Sequence, residues 1–340
     1  MSERALNTKA VVGVAAGIGT LLAGGLAGRR LVDQWAKNED PLDGEPVEFP
    51  DGEQRVVTMR DGAQISTVSV GTGPTIVCVH GLTTSRHDWG PIAATLVDAG
   101  YRLVAIEQRG HGDSTPGTAG YGSTQLGEDL AAVMAELDLR PQALVGHSMG
   151  GMAVMAYAAH HHGDAHDRVD NLVLIATAGS LKTARHGIGL RLGSIEIPPT
   201  VMPENERLRL VAGLSVFGKR PSLHMIDEII AIFGECPEDV RTQATEDLLD
   251  HDVLAELADV TLRTLVLGGT RDQLIRPHQV RELDAALPNS TLHMFDGAGH
   301  MVIWERHHDV ADAILQMIRP DYEVATGGLG RSIQPLQLPT

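Results

Sequence analysis

Ser148, His300 and Asp272 are residue types that together can carry nucleophilic catalysis: a hydroxyl to attack, an imidazole to take its proton, and a carboxylate to orient that imidazole. The serine stands in Ala143-Leu144-Val145-Gly146-His147-Ser148-Met149-Gly150-Gly151, where three apolar residues lead into Gly-x-Ser-x-Gly. An apolar run over residues 152–159 follows, so the order predicts strand, sharp turn and helix, the setting of a nucleophile elbow. Glycine at 146 and 150 answers a steric need, because side chains beside a serine at so tight a turn would collide with adjacent elements. The helix behind the serine would aim unpaired N–H groups and a positive dipole end at the reacting centre. On its own the pentapeptide also fits an ordinary glycine-rich turn between strand and helix.

The elements around it must therefore bring the partners to the same place. Asp272 follows the apolar run 264–267 through Gly268-Gly269-Thr270-Arg271, and His300 follows the run 291–295 through Asp296-Gly297-Ala298-Gly299. Each leaves the carboxyl end of a predicted strand, the edge where functional loops of an open parallel sheet gather. Asp296 is the rival carboxylate, but it lies only four residues before His300 in the same short loop.

The rest of the chain supplies the sheet. Residues 54–59 and 65–70 flank Asp61-Gly62 and predict a hairpin. Runs at 75–79, 102–106, 143–145 and 172–176 predict strands buried on both faces. Helices are expected at 91–99 and at 123–137, the latter with Ser123 as N-cap. This alternation predicts an α/β fold, a mostly parallel doubly wound sheet. It stops near Gly179, and 204–214, 222–233 and 237–257 read as helices before alternation resumes with 264–267, 277–287, 291–295 and 302–318. The expected organisation is an N-terminal segment with linker (1–50), a core (51–180 and 259–320), a helical cap insertion (181–258) and a tail (321–340).

His80-Gly81, Gly-His-Ser-Met-Gly-Gly, Gly-Gly-Thr-Arg-Asp and Gly-Ala-Gly-His, in this order, resemble the α/β-hydrolase superfamily in its capped esterase, lipase and peroxidase-like branches. The loop Glu107-Gln108-Arg109-Gly110-His111-Gly112-Asp113-Ser114 is similar to that family's Asp-x-Arg-Gly-x-Gly-x-Ser, with Glu107 in place of the aspartate. The resemblance covers about residues 50–320. It implies Ser148 as nucleophile, His300 as general base and acid, and Asp272 as the group that fixes the imidazole. It also implies the backbone N–H groups of Leu82 and Met149 as oxyanion donors. The expected activity is cleavage of a carboxylic ester or related acyl substrate through an acyl-enzyme, without a cofactor. A serine at the elbow disfavours dehalogenase and epoxide-hydrolase chemistry, which use a carboxylate there. A haloperoxidase or perhydrolase activity would use the same triad, and a non-catalytic ligand-binding protein on the same scaffold is the third reading.

Composition narrows the partners. The net charge of −17 leaves no basic surplus for phosphates and argues against nucleic-acid binding. Two cysteines, Cys78 and Cys236, give neither a disulfide framework nor metal-ligand spacing. Apolar residues of the insertion (Leu190, Ile195, Ile197, Val201, Met202, Phe217, Met225, Ile229, Ile232, Phe233) suit a small, apolar substrate. Residues 10–28 carry no charge and are flanked by Arg4, Lys9, Arg29 and Arg30, which predicts a transmembrane helix and membrane association. A cleaved secretion signal and a glycine-rich arm on a cytoplasmic protein are the competing readings. His160-His161-His162 with His166 read as solvated residues at a helix end, His80 and His111 as loop-shaping residues at the site mouth, and His147 as a neighbour of the elbow. Trp89 and Trp304 fit a core role as well as a substrate contact.

Overall fold

In the computed structural model residues 25–44, 47–182 and 206–319 are described. Strands β1 (Glu53–Thr58) and β2 (Gln64–Val70) form the hairpin, with Gly62 at φ 90° in its turn. β3 (Thr75–Val79), β4 (Arg102–Ile106), β5 (Ala143–His147), β6 (Asn171–Ile175), β7 (Arg263–Gly269) and β8 (Ser290–Phe295) complete one sheet of eight strands. The order is β1-β2-β4-β3-β5-β6-β7-β8, antiparallel from β1 to β4 and parallel from there to β8.

Alternate residues of the central strands feed two different cores. Ile76, Cys78, Leu103, Ala105, Val145 and Val173 face α2 (Gly90–Asp98) and α11 (His307–Ile318). Val77, Val79, Val104, Ile106, Leu144 and Leu172 face α3 (Ser123–Glu136), α4 (Met149–His160) and α9 (Pro277–Ala286). A strand covered on both faces needs apolar residues at every position, which is why these runs are continuous rather than alternating. The doubly wound α/β architecture expected from the sequence is the one observed. Between α4 and β6 lies the short α5 (His162–Arg168).

Between β6 and β7 the chain inserts α6 (Glu206–Ser215), α7 (Leu223–Glu235) and α8 (Glu238–Leu248). The helix expected over 237–257 stops at Leu248, because His251 is drawn into the core. There its Nδ1 meets Ser123 Oγ at 2.7 Å and its Nε2 donates to the Ala178 carbonyl at 2.9 Å. That contact also takes the hydroxyl expected to cap α3; the cap position is Gly122. The helix expected over 302–318 is two, α10 (Val302–Glu305) and α11, separated at Arg306.

The transmembrane reading of residues 10–28 requires correction. No helix among the described residues is long and apolar enough to cross a membrane. Residues 10–24 lie outside the described residues; the described part belongs to α1, Gly25–Trp35, which is 11 residues long. Arg29 and Arg30 lie inside this helix rather than closing an apolar span. Its apolar side is covered by protein: Val32 and Trp35 are buried, and Trp35 lies against Gly213 of α6. A Cβ on Gly28 would come within 2.9 Å of Leu210, so the small residue serves packing on the insertion. The acidic stretch after α1 is docked as well, with Asp40 accepting from Ser222 Oγ at 2.9 Å and pairing with His224 at 2.8 Å.

Candidate active site

Ser148 sits between β5 and α4 at φ 52° and ψ −116°, a conformation unfavourable for any residue with a side chain. Three hydrogen bonds hold it: Ser148 N donates to the Ile175 carbonyl, and Ser148 O accepts from Thr177 Oγ1 and Met152 N. The flanking glycines are there for space, not for φ. A Cβ on Gly146 would lie 2.6 Å from the Gly150 carbonyl oxygen, and one on Gly150 would lie 2.1 Å from that of Val79.

The loops after β7 and β8 bring the other two residues to this turn. His300 Nε2 lies 2.9 Å from Ser148 Oγ, and His300 Nδ1 lies 2.8 Å from Asp272 Oδ2. A carboxylate can only accept, so Nδ1 carries the hydrogen and Nε2 is free to accept the serine proton. The other Asp272 oxygen accepts from the N–H groups of Leu274 and Ile275 at 2.8 and 2.9 Å, which fixes the carboxylate plane. Asp296, the rival carboxylate, points away; it pairs with Lys219 at 3.1 Å and accepts from Thr270. Leu82 and Met149 both line the cavity that holds Ser148. Among the described residues neither backbone N–H is taken up by a protein acceptor.

A layer of buried polar groups fixes the wall that carries Leu82. His80 donates from Nδ1 to the Gly81 carbonyl at 2.7 Å, and its Nε2 accepts from Gln108 N at 2.9 Å. His111 donates from Nδ1 to the Arg109 carbonyl, and its Nε2 accepts from Thr83 N at 3.2 Å. Burial pushes His80 down to about 4 and His111 down to about 3, so both are neutral and can accept. They lie beneath the site rather than at its mouth, as full burial shows. Thr83 is held at φ 64° by this contact. Arg109, wholly buried, is clamped by Asp129 at 2.6 and 2.7 Å and by Asp61 at 2.9 Å. Glu107 accepts from Arg86, and burial raises its carboxyl above the usual range.

Glu305 is a residue of the site that sequence reasoning missed. Its Oε1 accepts from Gly299 N at 2.7 Å and its Oε2 from Gly218 N at 2.9 Å, so it ties the His300 loop to the insertion. Burial, with the negative charge of Asp272 adding to it, pushes Glu305 up to about 7. The signal was available: Glu305 is a lone acid directly after the apolar run Met301-Val302-Ile303-Trp304. His300 N and Met301 N both donate to the Val216 carbonyl, a second tie between the same two segments.

The cavity over Ser148 is walled from below by Gly81, Leu82, Thr83, Thr84, Met149, Met152 and His300, and from the insertion by Val211, Ala212, Ser215, Val216, Ile230, Phe233, Arg241, Thr245 and Leu248. Of the insertion residues expected to form an acyl pocket, Phe233 reaches it. Phe217, Met225, Ile229 and Ile232 instead pack the insertion onto the core. Leu190, Ile195, Ile197, Val201 and Met202 lie outside the described residues. Trp89 and Trp304 are fully buried in the core. His147 donates from Nε2 to the His300 carbonyl at 3.1 Å, a neighbour of the elbow. His160, His161 and His162 each meet a separate partner, Glu256, Glu128 and the Asp259 carbonyl, and do not converge.

Comparison with known proteins bears on the fold and the family. A family model described as alpha/beta hydrolase fold matches residues 74–192 and 190–307. The AB hydrolase superfamily protein YisY of Bacillus subtilis is 26% identical over 250 residues, 73% of this chain and 92% of that protein. A non-heme haloperoxidase of Rhodococcus erythropolis is 29% identical over 254 residues, 72% of this chain and 92% of that one. Among solved structures, the esterase RhEst1 from Rhodococcus sp. ECU1013 superposes with a TM-score of 0.65 at 25% identity, covering 78% of this chain and 98% of that one.

Proposed function

Because this chain belongs to the alpha/beta hydrolase family, we propose that it is a serine hydrolase that cleaves a carboxylic ester or related acyl substrate through a covalent acyl-enzyme. The observation that carries the reading is the unbroken chain Asp272–His300–Ser148, ending in a largely apolar cavity. In the first half-reaction Ser148 Oγ adds to the substrate carbonyl carbon while His300 Nε2 takes its proton. The carbonyl oxygen becomes an oxyanion held by the N–H groups of Leu82 and Met149, with the N-terminus of α4 adding its dipole. His300 then gives the proton to the departing alkoxide, and the acyl group stays on Ser148. In the second half-reaction a water loses its proton to the same Nε2 and attacks the acyl carbon; the bond from that carbon to Ser148 Oγ then breaks, Nε2 returns the proton to Oγ, and the free acid leaves. Asp272 stabilises the imidazolium in both halves.

A panel of p-nitrophenyl esters of graded acyl length, with a fluorophosphonate probe, tests this. Turnover together with labelling, both lost in Ser148→Ala, is the expected result; a folded protein that neither turns over any ester nor takes the label would sink the proposal. A second reading, acyl transfer to hydrogen peroxide, is favoured by the relative named as a haloperoxidase. Comparing acetate-ester rates with and without peroxide, and assaying for peracid, separates the two.

A further inference from the structure

Arg241 lies in the first half of α8, and helical spacing puts Arg241, Thr245 and Leu248 on the face that lines the Ser148 cavity. The neighbouring strip of the helix is spent on packing: Val240 and Ala244 pack with Tyr121 and Leu82, and Asp247 accepts from Tyr121 N, while Thr242, Gln243 and Glu246 on the far side are exposed. Arg241 is only 3% exposed, yet among the described residues its Nε has no hydrogen-bond partner. Among the described lining residues it is the one side chain with a fixed charge, and no carboxylate is among them. The fold does compensate a buried guanidinium elsewhere, since Arg109 receives two carboxylates in nearly ideal geometry. A charge withdrawn from water without a counter-charge is strongly unfavourable, and a ligand of opposite sign relieves it.

We propose that Arg241 is a carboxylate-binding residue of the substrate pocket, so that the ester cleaved at Ser148 carries a free carboxylate at its far end and an apolar chain or ring between the two. The proposal rests on the serine-hydrolase reading above and names the substrate class. A single guanidinium offers one positive charge and a planar fork that matches a carboxylate, whereas a dianionic phosphate would stay half compensated. No second cation lines the described wall. The rest of the cavity wall is mostly apolar, with Met149, Met152, Val216 and Leu248 among its residues, which suits the spacer of such a half-ester. A fully apolar acyl group in the same place would strip water from the guanidinium and return nothing.

The test compares monomethyl esters of C4 to C8 dicarboxylic acids with their dimethyl esters on the full-length protein. The wild type is expected to prefer one of the half-esters by kcat/KM, and Arg241→Met to lower the half-ester to diester ratio by roughly 10- to 100-fold, the effect of losing a charge-assisted hydrogen bond. Arg241→Lys should recover part of the ratio. Thermal unfolding without substrate is the second readout: Arg241→Met should melt no lower than the wild type, since an uncompensated buried charge is removed, whereas an arginine needed for folding would lower it. If diesters turn over and Ser148 is labelled but the ratio stays near one in wild type and variant alike, the carboxylate anchor is wrong and the hydrolase reading stands. A half-ester preference that survives Arg241→Met also overturns the anchor. Absence of all turnover and labelling overturns the hydrolase reading, and the anchor with it.

Discussion

The two walls of the Ser148 cavity are made in opposite ways. The wall at the sheet edge is a lattice of hydrogen bonds, in which His80, Gln108, His111, Thr83 and Arg109 each hold backbone in one arrangement. The wall from the insertion is apolar over Val211, Ala212, Val216, Ile230, Phe233 and Leu248, with Arg241 as the one fixed charge among its described residues. Buried polar networks have few ways to be satisfied, so they hold atoms in place. Apolar walls set volume and tolerate change of shape. Chemistry is expected to depend on the first wall and choice of substrate on the second.

The sharpest way to break that division is at the sheet edge. Ser148→Ala should lower kcat by about 10⁶-fold, the loss typical of removing a nucleophile of this kind, while circular dichroism and melting show an intact fold. A smaller but still large effect is expected from Asp129→Ala, which leaves Arg109 fully buried with Asp61 as its remaining acid. Removing one partner of a buried pair costs about 3–5 kcal/mol, measurable by urea unfolding.

Acid should loosen the same wall. His80, His111 and His251 are depressed by burial to about 4, about 3 and about 4. The unfolded chain therefore binds protons first, so the stability these groups contribute is whole above about pH 6.5 and is lost as pH falls through about 4. Each histidine is worth on the order of 3 kcal/mol over that window. Glu305 has the opposite sign: its raised value makes the folded state hold the proton longer, so its contribution is present below the normal glutamate range and lost as pH rises through about 7. Stability measured from pH 8 to 4 should fall steeply on the acid side, and Glu305→Gln should remove the alkaline slope.

The smallest effect belongs to the insertion wall. Phe233→Ala should move the optimum toward longer or bulkier acyl groups, by about 1–3 kcal/mol in relative kcat/KM, without altering the identity of the labelled residue. A uniform fall in kcat across all esters would show instead that this wall takes part in the chemistry.

Much of the sheet-edge wall was legible in the sequence because its parts are local. Strand, glycine turn and helix around Ser148 are adjacent in the chain, and the runs before Asp272 and His300 mark the same edge. What could not be read depends on contacts distant in the chain. His251 ends a helix because Ser123 Oγ donates to its Nδ1 and the Ala178 carbonyl accepts from its Nε2, and Glu305 matters because Gly218 and Gly299 come to it. Nor does apolar character distinguish Phe233, which reaches the cavity, from Ile229, which packs the insertion to the core. The described end of the uncharged N-terminal run was not legible as a docked helix for a similar reason, since Gly28 and Trp35 of α1 find their partners in Leu210 and Gly213.

The ties between Val216–Gly218 and the His300 loop bear on how this protein can be recombined. The Val216 carbonyl receives the His300 amide, and Gly218 comes so near the loop that a Cβ there would lie 2.0 Å from the Gly297 carbonyl oxygen. A chimera that exchanges residues 181–258 as a cassette would remove the backing of the imidazole along with the substrate-facing wall. A graft that retains Val216, Phe217, Gly218 and Glu305 from this chain, and replaces only what lies around them, leaves the base seated in its original frame.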